Sequence, residues 1–144
     1  MSISPSKLNS FLFFKLPSAF FCGVRVKEIT AETCQATVTH RWINQNPFNS
    51  MYFAVQAMAA ELTTGALVMQ EIERSKAKIS MLVANNKSSF SKKATGKITF
   101  ICNQGDLVKE GISKAISTGE GQTFWLKSIG YNEDQIEVSE MHFE

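Results

Sequence analysis

The chain has 144 residues, a net charge of +2, and 44% hydrophobic against 19% charged residues. This balance excludes an intrinsically disordered chain, and the length suits one compact domain, so we expect residues 1–144 to form a single domain. The small net charge gives no general attraction to nucleic acid or to membranes, and we expect neither as a partner.

The N-terminal part predicts a short amphipathic helix over residues 6–15, ended by Pro17. We do not expect the apolar residues around it to form a signal peptide, because Lys15 and Pro17 interrupt them and no small-x-small cleavage site follows. The three cysteines, Cys22, Cys34 and Cys102, have no metal-type spacing. We therefore expect free thiols in a reducing, cytoplasmic setting, with no metal and no cofactor.

A β-hairpin and a loop come next. Residues 22–29 and 33–39 both alternate between apolar and polar side chains, and residues 30–32 join them. The following loop, residues 40–50, is marked by Asn-Pro and Asn-Ser pairs. Asn49 or Ser50 is expected to cap the helix that begins after this loop.

The run of residues 51–69, MYFAVQAMAAELTTGALVM, carries a single charge, Glu61. Its 19 residues reach transmembrane length, but the acid and the polar residues Gln56, Thr63 and Thr64 favour burial inside protein. A carboxylate in so apolar a helix is costly unless it is paired, protonated or used. Glu61 is thus either a structural acid, which pairs with an arginine or caps a neighbouring loop, or a catalytic group.

In the second half of the chain, apolar and polar residues again alternate with a period of two, which is typical of strands. Four strands are predicted, with an extended piece over 88–93 and a weak helix over 106–117: residues 78–83, 95–103, 122–129 and 135–143. The order of elements predicts an α+β domain with an antiparallel sheet and one central helix.

The residues from Arg74 to Lys97 include seven basic side chains and no acid. Such a stretch is typical of a solvated strand edge protected by lysines. Beside a binding groove it would instead attract an anionic ligand such as coenzyme A.

Residues 41–65, RWINQNPFNSMYFAVQAMAAELTTG, resemble the hotdog-fold thioesterase superfamily. In that superfamily a curled antiparallel β-sheet wraps around one long central α-helix. The loop before the helix carries Asn and small residues, and the helix carries an acid followed one turn later by glycine. The corresponding residues in this chain are Asn46, Asn49, Ser50, Glu61 and Gly65.

The resemblance implies hydrolysis of an acyl thioester of coenzyme A or an acyl carrier protein. Glu61 would act as base or nucleophile, and backbone amides around Tyr52 and Phe53 would stabilise the oxyanion. Asn46 or Ser50 would orient the water or bind the thioester carbonyl. Each of these residues also has a structural interpretation: Asn46 as a turn residue, Asn49 and Ser50 as caps, and Tyr52 as part of the core.

Sites of this superfamily lie between two protomers, so the resemblance also implies a homodimer or homotetramer. An acyl tunnel would run beside the helix, with four lining candidates: Phe48, Met51, Phe53 and Met58.

Three alternatives to a thioesterase are open. Several branches carry His-Gly-Gly or His-Ala-Gly where this chain has Tyr52-Phe53-Ala54, and a non-catalytic binder of acyl groups or acyl-CoA would not need those glycines. A hotdog dehydratase would pair His40 with Glu61. A structural interaction domain would have no cavity beside Glu61.

Overall fold

The computed structural model describes residues 3–144, in which a six-stranded antiparallel sheet surrounds one long helix. The elements in chain order are α1 (Pro5–Lys15), α2 (Pro17–Phe21), β1 (Arg25–Ile29), β2 (Cys34–Thr39), α3 (Phe53–Ser75), β3 (Asn86–Phe90), β4 (Lys97–Cys102), α4 (Gly105–Thr118), β5 (Leu126–Tyr131) and β6 (Glu137–Phe143). The spatial strand order is β1-β2-β4-β5-β6-β3. This is the expected α+β arrangement.

Helix α3 lies at the centre because its surface is apolar on nearly every side. It packs against β1, β2, β4, β5 and β6, and its small residues Ala59, Ala60 and Ala66 are fully buried. Small side chains let the strands approach the helix closely, which is how the sheet encloses it. No helix within residues 3–144 is long and apolar enough to cross a membrane.

The start of α3 differs from the expectation. Tyr52 occupies the N-cap position, and its side chain makes no capping hydrogen bond. The prediction that Asn49 or Ser50 caps this helix is wrong, because both residues belong to a separate turn closed by Asn46.

The N-terminal helices cover the free edge of β1. Ser4 caps α1 by accepting a hydrogen bond from the Lys7 amide, and Leu8 and Leu12 are buried. The Asn9 side chain bonds both backbone groups of Val26, accepting from its amide at 2.8 Å and donating to its carbonyl at 3.1 Å. One side-chain amide thus replaces a neighbouring strand at the edge of the sheet. Pro17 ends α1 as expected. It also begins α2, a second short helix that the sequence pattern did not predict.

The predicted hairpin is confirmed: β1 and β2 pair antiparallel, and β2 then pairs with β4. Cys34 and Cys102 lie directly opposite each other on β2 and β4 and are fully buried free thiols. Burial, with the neighbouring Cys102, raises the pKa of the Cys34 thiol to about 12. Both cysteines act as small hydrophobic residues of the core, as expected.

The predicted strand over residues 78–83 is wrong. Residues 77–85 have no regular secondary structure, and the strand begins later, at Asn86, where β3 pairs with β6. Residues 79–84, odd and even positions alike, line a cavity instead. The last two strands are confirmed with shifted starts, because β5 begins at Leu126 and β6 at Glu137.

Candidate functional site

A cavity of about 350 Å³ lies beside the middle of α3. Five parts of the chain line it: α3 itself, the irregular segment 79–84, helix α4, the residues that lead into β5, and the end of the chain at Phe143 and Glu144. The lining is mostly aliphatic and aromatic, with Val68, Ile72, Met81, Ile112 and Phe124 among its residues. Its volume and apolar walls are those of a site for a small organic ligand.

Glu61 lines this cavity. Its carboxyl group is partly buried, and desolvation raises its pKa above the ordinary value of 4.5. No charged neighbour and no hydrogen bond among residues 3–144 offsets that effect on the pKa. The pairing of Glu61 with an arginine, one of the interpretations above, is therefore absent from the described residues. A carboxyl group with a raised pKa in a cleft is typical of a functional acid or base.

Gly65 explains how the carboxylate fits beside the helix. A Cβ atom at this position would lie 3.0 Å from Glu61 Oε1 and 3.2 Å from Met81 Cε. The missing side chain leaves room for the carboxylate one turn earlier and for the segment 79–84 above it.

The wall opposite α3 depends on a second glycine. A Cβ atom at Gly111 of α4 would lie 2.2 Å from Phe124 Cε1. The ring therefore packs directly on the helix backbone, and this contact places Phe124 in the cavity wall. Gly111 lies inside the weak helix that the sequence predicts over residues 106–117, and no local pattern links it to Phe124.

The loop before α3 is held by hydrogen bonds between its own residues. Asn46 donates a hydrogen bond to Ser50 Oγ at 2.9 Å, while its Oδ1 accepts from the Phe48 amide at 2.9 Å and the Ser50 amide at 3.3 Å. Asn49 follows with a left-handed φ of 58°. These contacts are those of a tight turn in which an Asn side chain holds the backbone. None of Asn46, Asn49 or Ser50 lines the cavity with Glu61.

Tyr52 and Phe53 mark the start of α3 and are about half exposed. The Tyr52 amide donates to the Asn44 carbonyl at 2.9 Å, whereas the amides of Phe53 and Ala54 have no acceptor among residues 3–144. Phe53 and Ala54 thus offer two free N–H groups at the positive end of the helix dipole. They lie far from the acid of the same chain, because eight residues of helix separate Phe53 from Glu61, or about 12 Å.

The tunnel candidates do not line the cavity. Met51 is buried in the core, whereas Phe48 and Phe53 are exposed. The observed lining comes instead from the second half of α3 and from segments distant in sequence. Only one local pattern pointed to a lining segment: the alternation of apolar and polar side chains over residues 78–83, which predicted a strand.

His40 does not meet Glu61 in the cavity. Its Nε2 atom is buried without a hydrogen-bond partner in the described part of the chain, and its amide donates to the Gly96 carbonyl. The dehydratase pairing of His40 with Glu61 therefore has no support from this geometry.

The architecture is shared with solved structures of low sequence identity. A Pseudomonas aeruginosa protein of unknown function, which carries the name "probable thioesterase", is 19% identical with a TM-score of 0.81, over 99% of this chain and 94% of that chain. Zebra fish thioesterase superfamily member 2 is 9% identical with a TM-score of 0.72, over 99% of this chain and 96% of that chain. A Haemophilus influenzae thioesterase is 10% identical with a TM-score of 0.69, over 99% and 89%.

These similarities and the enclosed central helix define the class: this is a hotdog-fold protein that resembles structures of the thioesterase superfamily. Residues 6–144 match the family described as "Domain of unknown function (DUF4442)", and the chain belongs to that family. No functionally curated protein matches the chain in sequence.

Proposed function

We propose that this protein hydrolyses acyl thioesters, with Glu61 as the general base or nucleophile and the acyl group in the cavity beside it. The observation that supports this most directly is the Glu61 carboxyl group, which lines an apolar cavity and has neither a cation nor a hydrogen-bond donor as a partner in the described chain. A carboxyl group whose pKa is raised by burial is more basic than an exposed one and is suited to accept a proton from water.

The oxyanion donors in this proposal come from a second protomer. Stabilising the oxyanion needs donors about 3 Å from the reacting oxygen, whereas the free amides at the start of α3 lie about 12 Å along the helix from Glu61 of the same chain. A homodimer that places the start of α3 of one protomer near Glu61 of the other would complete the site. The exposed edge strand β3 supports such a dimer, because none of its residues is buried and Phe90 lies beside Phe53, with ring centroids 6.3 Å apart.

Coenzyme A is the thiol carrier we propose. Lys76 and Lys78 immediately precede the cavity-lining residues 79–84, and no carboxylate pairs with either of them within residues 3–144. Cations near the cavity would attract the phosphates of the carrier.

The first test is thiol release from short, medium and long acyl-CoAs by the wild type and Glu61→Gln. Removal of a general base is expected to lower kcat by about a hundredfold or more while most of the ligand affinity remains. Glu73→Gln, an exposed acid on the same helix, is the matched control and should keep wild-type turnover. Equal turnover of Glu61→Gln and the wild type would refute the role of Glu61.

A second test addresses the shared site. Phe53→Pro removes one free amide at the first position of the helix, where proline is tolerated, and Phe53→Ala removes the ring but keeps the amide. We expect low turnover only with proline. Mixing Phe53→Pro with Glu61→Gln protomers should restore activity, because each mixed dimer contains one site with an intact acid and an intact amide. No recovery on mixing would contradict a site between protomers.

A non-catalytic acyl-CoA binder is the second candidate, favoured by one observation. Tyr52, Phe53 and Ala54 bring side chains to the helix start, where a glycine backbone would approach a ligand more freely. Saturable binding of acyl-CoA to the wild type, with no thiol release from any substrate, would establish this candidate over the enzyme.

A further inference from the structure

The N-terminal helices present a face of exposed large apolar side chains away from the cavity. Phe13 and Phe14 of α1 are 45% and 75% exposed, Phe21 of α2 is 56% exposed, and Leu16 lies between the two helices. The rings form one cluster, with the Phe13 centroid 5.0 Å from that of Phe14 and 6.2 Å from that of Phe21.

Trp42 extends this face. It is 83% exposed, and its turn is held against the end of α2 by two hydrogen bonds. Asn44 Nδ2 donates to the Cys22 carbonyl at 2.9 Å, and Arg41 Nη2 donates to the Phe21 carbonyl at 3.0 Å. We call the surface formed by Phe13, Phe14, Leu16, Phe21 and Trp42 the aromatic face.

The segment that carries α1 and α2, residues 3–27, contains basic side chains and no acid. Lys7, Lys15, Arg25 and Lys27 precede the first acid of the chain, Glu28. The Arg25 guanidinium lies 3.7 Å from the centroid of Phe20, and burial, together with the neighbouring Arg41, lowers the pKa of Arg25. None of these cations pairs with a carboxylate in residues 3–144, whereas Lys109 and Lys114 elsewhere do.

The net charge of the whole chain predicts no membrane partner, but this face departs from that average. We propose that the aromatic face docks on an anionic lipid surface, with its phenylalanine and tryptophan rings inserted at the level of the headgroups. Rings of Phe and Trp beside Lys and Arg are the composition of helices that lie in a membrane interface. The cations supply the attraction to anionic headgroups, and the rings supply the apolar area that is buried there.

A second copy of the chain fits this face less well. A symmetric dimer brings the same patch of each protomer together, so that Lys15, Arg25 and Arg41 would lie near the same cations of the other copy. An anionic surface removes that repulsion. Because β3 lies at the opposite edge of the sheet from β1, lipid docking at α1 leaves the proposed dimer edge free.

The test is co-sedimentation of the full chain with phosphatidylglycerol vesicles and with phosphatidylcholine vesicles. We expect sedimentation with the anionic vesicles only, weakened by salt. In the Trp125→Phe protein, where Trp42 is the single tryptophan, the emission should shift to shorter wavelength on anionic vesicles. Equal partition onto both vesicle types, or no binding to either, would overturn the proposal.

Matched variants locate the contact. Phe14→Ser should weaken binding at least tenfold through lost apolar burial, and Lys15→Gln about fivefold through one lost charge. Ile116→Ser and Lys114→Gln make the same kinds of change on α4 and should bind as the wild type does. Wild-type binding by Phe14→Ser would overturn the proposal, and so would a lower oligomeric mass of that variant in gel filtration, which would assign the face to a subunit contact.

Discussion

Two polar regions lie at the first half of α3, and their surroundings differ. In the loop before the helix, Asn44 donates to the carbonyls of Cys22 and Thr39 and accepts from the Arg41 amide, while Asn46 holds its own turn. Glu61, two turns into the helix, has no such partner and lines an apolar cavity. Polar groups whose hydrogen bonds are all made within the chain hold the fold, whereas an unpartnered carboxyl group carries a free-energy cost and is free to react.

Replacing a partnered residue of the loop should have the largest effect. Asn44→Ala leaves three backbone groups without partners around a residue that is 2% exposed. We expect the free energy of unfolding to fall by about 3 kcal/mol in urea denaturation. Asn103→Ala, at an exposed position, is the control and should change little. Equal stability of the two variants would remove the structural role of this loop.

Replacing the unpartnered acid, Glu61, should stabilise the fold instead of destabilising it. Glu61→Leu removes a carboxylate from an apolar cavity, so we expect the free energy of unfolding to rise by about 2 kcal/mol at neutral pH. Thermal unfolding measures this, with Glu73→Leu as an exposed control on the same helix. A lower melting temperature for Glu61→Leu would mean that the carboxylate has a stabilising partner.

The pH dependence of stability sharpens the same contrast. The pKa of Glu61 is raised in the folded state, so between its ordinary value of 4.5 and the raised value the folded chain binds more protons than the unfolded chain. Stability then falls as the pH rises through that window, by up to about 1.4 kcal/mol per pH unit for one group. Subtracting the profile of Glu61→Gln from that of the wild type isolates this slope, and parallel profiles would contradict the raised pKa.

Gly65→Ala should have the smallest effect on stability of these variants, and it should still lower the activity of the site. Its Cβ atom would press on Glu61 Oε1 and Met81 Cε, while alanine gains up to about 1 kcal/mol of helix propensity over glycine. We expect nearly unchanged stability with thiol release reduced about tenfold, because the carboxylate is displaced. Unchanged turnover would mean that the position of the carboxylate is not critical.

The sequence by itself determined the elements whose pattern is local. The helix around Glu61, the β1–β2 hairpin and the strand β4 follow from periodicity within each segment. It also singled out Glu61, since one charge in a 19-residue apolar run is visible without any structure.

Only the tertiary structure decided what surrounds those elements. The cavity brings residues 79–84, Gly111 and Phe124 to Glu61 across long stretches of chain, and periodicity within one segment carries no information about such contacts. Residues 78–83 alternate like a strand, yet the edge of β6 pairs with Asn86–Phe90 instead. The sequence allowed Asn46 as a turn residue and Ser50 as a helix cap, besides their possible roles in the site. They form one turn together because hydrogen-bond partners are determined by three-dimensional proximity.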